Sequence, residues 1–366
     1  MRRPLLRMKL PLLLSCCLAS SLQAGLLYYL PFATGYDPAA IVEDGVKGQG
    51  VVGHGVFGET NPNASADLLP TSLVYVDAQG NTLATAGGAC LIDSNEETAD
   101  VSNIAPLALT GANAPAGNTL WISFIGQQTA GTTARFFNLG LRAQDDTFIV
   151  TPPNIGDSGG TDDEIIVFGM GSLSSSQVWH MYDRGTTSLG RILAPSEIPS
   201  TKRAFILARI ELNAEGSNER YTMWVDPPLG VVPDEGVGLQ FVSVNSDFNA
   251  WSNLFKIRLA AGYQNANGPS SAWQVDEIRM GDTWQDVTPY LPMQIMNVNR
   301  TPTGTLEITW NAAPNCTDTV EWCTNLTDWQ PYPTSTRVNL PNSVLATWET
   351  PVQTEPRVYF RVSRLR

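Results

Sequence analysis

The chain has 366 residues, 43% of them hydrophobic and only 16% charged, with a formal net charge of −13. That is enough apolar material for a sizeable core, and the length suggests two domains. Beyond residue 24 the only lysines are Lys47, Lys202 and Lys256, which excludes the clustered positive charge that nucleic acids and anionic membrane surfaces require.

The chain opens with Arg2, Arg3, Arg7 and Lys9, followed by an apolar run from Leu10 to Leu18 and small residues up to Ala24. This is the layout of a secretory signal peptide, and the run is too short to span a bilayer. Cleavage near Ala24 and a secreted or cell-surface product are expected. Leu14 is bulkier than a lipoprotein cleavage site prefers, so a lipid anchor on Cys16 is the lesser alternative. With Cys16 and Cys17 in the leader, Cys90, Cys316 and Cys323 remain. Three is odd, so there is no complete disulfide framework. Cys316 and Cys323 can pair only if the chain turns between them; a strand over 318–323 holds the sulfurs apart.

Next come a strand from Leu26 to Phe32 and a Gly-rich loop from Gly35 to Gly58. Residues 72–92 read as a hairpin about Asp77–Asn81, and 93–118 as a long polar loop. Strand patterns follow at Leu120–Gly126, Ala134–Arg142, Ile165–Met170 and Gln177–Tyr182. In Ala204–Leu212 the even positions Ile206, Ala208, Ile210 and Leu212 form the predicted core face, and Tyr221–Val225 returns as its hairpin partner. Phe255–Ala261 and Trp273–Met280 complete this series, and Pro289 and Pro292 then stop regular structure. Beyond them Leu306, Ile308 and Trp310, then Thr319–Thr324, then Val358, Phe360 and Val362 alternate as strands. No stretch longer than a turn or two has helical spacing. The predicted class is all-β, a jelly-roll β-sandwich over 25–289 followed by a small fibronectin-like β-sandwich over 290–366.

Several residue groups bear on chemistry. Gly156-Asp157-Ser158-Gly159-Gly160 resembles the nucleophile motif of trypsin-like proteases. Thr161 stands where that family has Pro, the only histidines are His54 and His180, and more than two hundred residues follow; the segment reads as a turn. Asp276 and Glu277 are adjacent, so strict alternation sends them to opposite faces. Asp276 is read as structural, bonded to a nearby turn. Hard oxygen ligands for calcium are offered by Asp157, Asp162 and Asp163, and a second acidic loop holds Asp93, Glu96, Glu97 and Asp100. Flat rings suit stacking on sugars. Trp121, Trp224 and Trp273 lie within strands and read as core, whereas Trp251, in a loop, and Trp179, His180 and Tyr182 are the candidates for ligand contact.

Three pieces together resemble the concanavalin A-like lectin/glucanase superfamily in its laminin G-like form. They are Ala208-Arg209-Ile210-Glu211-Leu212 with Tyr221 through Asp226-Pro227, then Val275-Asp276-Glu277-Ile278-Arg279-Met280-Gly281, and its tail Thr283-Trp284-Gln285-Asp286-Val287-Thr288-Pro289. Residues 319–329 and the ending Val358–Val362 resemble a C-terminal β module of secreted bacterial proteins, with Cys323 where Ser is common. The first resemblance implies a jelly roll that binds glycans or cell-surface and matrix partners outside the cell. Glycanases of that family carry Glu-x-Asp-x-x-Glu on one strand, and no such run occurs here. The expected function is therefore non-catalytic binding, with calcium as the one metal considered. A glycoside hydrolase or polysaccharide lyase with an unrecognised site, or a structural envelope protein, are the alternatives.

Overall fold

Short segments of β-branched and aromatic residues, punctuated by Gly, Pro and Asn, leave the backbone to be satisfied by strand pairing. The computed structural model describes residues 25–32, 58–59, 65–93, 101–106, 109, 114–130, 135–143, 164–170, 177–183, 192–216, 218–242, 251, 254–263, 272–312, 316–333, 335–339, 345–350 and 358–365. The stretch expected to be a signal peptide and the Gly-Asp-Ser-Gly-Gly segment lie outside them.

The first strands are β1 (Leu26–Leu30), β2 (Gly58–Glu59), β3 (Ser65–Leu69), β4 (Thr82–Leu83), β5 (Ala89–Asp93), β6 (Val101–Pro106), β7 (Thr119–Ala130) and β8 (Arg135–Ala143). They continue with β9 (Glu164–Met170), β10 (Val178–Asp183), β11 (Ile192–Pro199), β12 (Ala204–Glu215), β13 (Asn218–Val225), β14 (Leu239–Val242), β15 (Leu254–Tyr263) and β16 (Ala272–Gly281). A short helix, α1 (Trp284–Val287), and β17 (Tyr290–Leu291) follow. The chain ends with β18 (Ile295–Arg300), β19 (Leu306–Asn311), β20 (Thr317–Cys323), β21 (Gln330–Pro331), β22 (Arg337–Val338), β23 (Leu345–Glu349) and β24 (Tyr359–Leu365).

Two antiparallel sheets form the larger body, an all-β sandwich. The back sheet runs β14-β13-β12-β7-β16-β5-β3, with β1 also on β16; the front sheet runs β11-β10-β9-β8-β15-β6-β2. Between them lie Ile122, Phe124, Phe137, Leu139, Phe168, Trp179, Trp273 and Ile278, all fully buried. The predicted polar loop over 93–118 contains β6, which pairs with β15. The segment from Ile192 to Pro199, which carries no strand prediction, is β11. It lies at the front-sheet edge, the place where a strand tolerates Pro195.

The back sheet is buried on both faces. Ile206, Ala208, Ile210 and Leu212 of β12 face the main core as expected, while Phe205 and Leu207 enter a second cluster with Tyr75, Leu83, Trp121, Trp224, Leu229 and Val287. Burying these rings and branched chains supplies about 1.5–3 kcal/mol each before entropy is charged against it. The covering segment is pinned by Asp77, whose Oδ1 accepts from the backbone N–H of Gln79 at 2.9 Å and of Asn81 at 2.8 Å, and whose Oδ2 accepts from Leu229 N–H at 2.8 Å. Helix α1 is held by a capping box between Thr283 and Asp286. Gly25 passes so close, at φ +120°, that a Cβ there would stand 2.5 Å from Asp286 Oδ2.

The C-terminal residues form a three-stranded sheet, β18-β19-β23, and a four-stranded sheet of β21, β20, β22 and β24. Ile308, Trp310, Ala312, Val320 and Ala346 make their shared core. These sheets touch the larger body directly. β17 pairs with β4, Arg364 Nη1 donates to Thr82 Oγ1 at 3.1 Å, and Val76 packs with Cys316. Cys90, Cys316 and Cys323 are buried and form no disulfide among the described residues, as β20 between the last two requires.

Candidate functional site

The outer face of the front sheet is set by alternation along β10. Trp179 and Met181 point into the core, where Trp179 meets Phe137 edge-on at 5.3 Å. His180 and Tyr182 therefore project from the opposite face. Across the strands His180 pairs with Gly169, which pairs with Asn138, while Tyr182 pairs with Val167, which pairs with Gly140. Gly169 has φ +153°, a conformation that side chains rarely adopt. Gly169 removes bulk directly beside His180, a signature of close approach by another group, whereas Val167 stands between Tyr182 and Gly140.

The pair is enclosed. His180 is 0% exposed and Tyr182 9%, although the solvent side of an antiparallel sheet is ordinarily wet. Their ring centroids are 5.8 Å apart. His180 Nδ1 lies 3.2 Å from the Val178 carbonyl oxygen; that contact is a hydrogen bond when Nδ1 carries the proton, leaving Nε2 as the acceptor side of a neutral ring. Burial pushes the imidazole down to about 4, opposed by that backbone bond. At neutral pH the ring is uncharged.

The other expected ligand residues lie elsewhere. Trp179 is fully buried between the sheets, its Nε1 directed at the Lys202 carbonyl oxygen at 3.4 Å. Trp251, expected as a loop platform, is part of the same core and donates from Nε1 to the Gly117 carbonyl at 2.8 Å. Both rings are committed to core packing, and what sets Tyr182 apart is the face it projects from, since at 9% exposed it is scarcely more open than Trp251 at 7%. Of Trp251, Trp179 and Tyr182, Tyr182 alone sits on an outer face. Asp157, Asp162 and Asp163 lie outside the described residues, and among the described residues no three His, Cys, Asp or Glu side chains are grouped to hold a metal. Trp121 and Trp224 stack at 5.6 Å in the second cluster, with the Arg209 guanidinium 5.5 and 5.7 Å from their rings.

The acidic pair of β16 departs from expectation. Strict alternation separates Asp276 from Glu277, but a register shift between Asp276 and Arg279 and φ +56° at Glu277 make a bulge. Val275, Ile278 and Met280 face the core, and both carboxylates reach the segment covering the other face. Asp276 Oδ2 accepts from Ser72 Oγ at 2.5 Å and Leu73 N–H at 2.7 Å. Glu277 Oε1 accepts from Ala86 N–H at 2.5 Å, and Oε2 accepts from Tyr29 Oη at 2.9 Å and from Arg279 Nη2. Burial, then the Glu277 charge, hold the Asp276 carboxyl well above the usual carboxylate range. Glu277 is raised by burial against the lowering effect of Arg279. These groups are spent on pinning residues 72–86 to the central strand, the structural role expected of Asp276.

No protein-family model and no curated protein matches the chain. Among solved structures it is similar to an endo-β-1,4-glucuronan lyase from the fungus Trichoderma reesei, at 11% identity and TM-score 0.39 over 63% of this chain and 92% of that one. It is also similar to peanut lectin, at 14% identity and TM-score 0.33 over 60% of this chain and 91% of that one. A third is lectin II from Ulex europaeus, at 10% identity and TM-score 0.33 over 62% of this chain and 94% of that one.

Proposed function

We propose that this is a secreted carbohydrate-binding protein whose ligand meets the outer face of the front sheet at His180 and Tyr182. The observation that carries this reading is the enclosed pair itself: an uncharged imidazole beside a phenol on the outer face of the front sheet, with Gly169 directly opposite His180. A phenol ring packs against the C–H face of a sugar, while its hydroxyl and a neutral imidazole donate to and accept from sugar hydroxyls. The basic, apolar, small-residue order of residues 2–24 supports an extracellular destination. A glycan array probed with the wild-type chain and with Tyr182→Ala tests it. Retained glycans that are lost in the variant support the reading, and an empty array overturns it.

A second reading has one specific observation in its favour. A neutral imidazole 5.8 Å, ring to ring, from a tyrosine is a base and acid pair of the kind that elimination from a uronate needs, one group taking the proton α to the carboxylate and the other protonating the leaving oxygen. New ultraviolet absorbance from a carbon–carbon double bond, on incubation with uronate polysaccharides, separates cleavage from binding alone.

A further inference from the structure

We propose that the cleft where the C-terminal sheets meet the larger body is a second binding site, for one acidic sugar unit held by its carboxylate. It is separate from the outer face of the front sheet. The pocket has a volume of about 480 Å³, within the roughly 300–1,000 Å³ of small-ligand sites. One wall is the segment from Leu69 to Val74, another is Arg203 and Gln274 of the back-sheet side, and Cys316 and Thr317 at the start of β20 close it. The pocket thus exists only with the C-terminal sheets in place.

Ser72 of the lining is bonded to Asp276, but most of the other polar groups are uncommitted. Among the described residues the side chains of Thr71, Gln274 and Thr317 make no hydrogen bond. Arg203 makes one long contact, from Nη1 to the Val74 carbonyl oxygen at 3.5 Å, so its fork is available for a carboxylate, which it matches in two parallel bonds. Arg203 is the only charged residue of the lining. The nearest carboxyl behind it, Asp276, is already taken by Ser72 and Leu73 and is biased by burial toward its neutral form. Burial likewise pushes the Cys316 thiol up to about 11, so it adds no negative charge. In a chain of net charge −13, this leaves a local positive site with an amide and two hydroxyls around it, and Leu69, Pro70 and Val74 as the apolar part. The Asp276 bonds fix the Ser72–Leu73 wall beforehand, which lowers the ordering cost of binding.

Calorimetric titration of the full chain with glucuronate, and with glucose as its uncharged match, tests the site. Glucuronate is expected to bind at least about tenfold tighter than glucose, the factor that one charge-assisted pair supplies. Arg203→Ala should remove that preference in a chain that still folds, since the residue lies at the surface. Thr317→Trp, which fills the cleft from the C-terminal side, should abolish glucuronate binding independently. Tyr182→Ala should leave it intact, which keeps this outcome distinct from that of the front sheet. Equal binding of the two sugars, no glucuronate binding, or undiminished binding by folded Arg203→Ala and Thr317→Trp would each overturn the proposal.

Discussion

Arg364 Nε donates to Asp318 Oδ1 at 2.7 Å, and neither side chain is exposed. The pair is not isolated. Asp318 Oδ2 also accepts from Trp310 Nε1 at 2.8 Å and Asn339 Nδ2 at 2.7 Å, and Arg364 reaches on to Thr82 Oγ1 in the larger body. Removing one partner of such a pair leaves an uncompensated buried charge and costs about 3–5 kcal/mol. Asp318→Ala should therefore lower the unfolding free energy by that order in urea titration. Asp318→Ala with Arg364→Met together should cost less than Asp318→Ala alone. A loss under about 1 kcal/mol in the single variant would show that water already satisfies Arg364.

The Asp276–Glu277 bulge makes a pH prediction with a definite sign. Folded Asp276 has its pKa raised above the usual carboxylate value, with burial as the first cause. The folded state then binds a proton that the unfolded state has released, so this contribution to stability is full below the unfolded pKa and is lost as pH rises through the raised folded value. Asp276→Asn removes the titration while keeping the shape. Urea midpoints measured from acid to neutral pH should fall more with rising pH in wild type than in Asp276→Asn. Parallel curves would show that the Asp276 pKa is the same in the folded and unfolded states.

His180 works in the opposite direction. Its folded pKa is pushed down to about 4 from the ordinary 6.5 by burial. The unfolded chain takes up the proton first, so stability is lost as pH falls from 6.5 toward 4, by about 3 kcal/mol at one pH unit per 1.36 kcal/mol. His180→Gln should flatten that part of the profile. An NMR titration in which the His180 ring protonates near its ordinary value would contradict the enclosure from which its role in binding is argued.

How far the sequence carried depends on the element. The β12–β13 hairpin was legible because alternation, a polar turn and the stop at Asp226-Pro227-Pro228 agree, and its register joins Ile206 to Val225 and Ile210 to Tyr221. β6 was hidden because Val101–Pro106 is polar and ends in proline, and β11 because Pro195 and Pro199 argue against a strand except at an edge. The bulge at Glu277 could not be read: left-handed backbone is ordinarily announced by Gly or Asn, and here a glutamate adopts it, held by Tyr29, Ala86 and Arg279. For the site, the sequence offered Trp179 and Tyr182 together as ligand candidates, whereas β10 sends them to opposite faces. Which face is the core depends on Phe124 and Phe137, residues contributed by distant strands. The cleft around Arg203 joins segments about two hundred and forty positions apart, and no local pattern encodes that.

Trp251 separates packing from recognition. It is 7% exposed, lies in the main core, and its indole N–H donates to the Gly117 carbonyl at 2.8 Å. Trp251→Phe keeps most of the apolar contact but loses that hydrogen bond, at about 0.5–1.5 kcal/mol because Gly117 is open to water. The variant should melt lower than wild type yet retain the same glycans on an array at temperatures where it is folded. Tyr182→Ala should give lost retention even at temperatures where it is folded, with its own fall in melting because the ring is buried. Lost retention in folded Trp251→Phe would move the recognition surface from β10 to the loop around residue 251, where the ring was first expected to act.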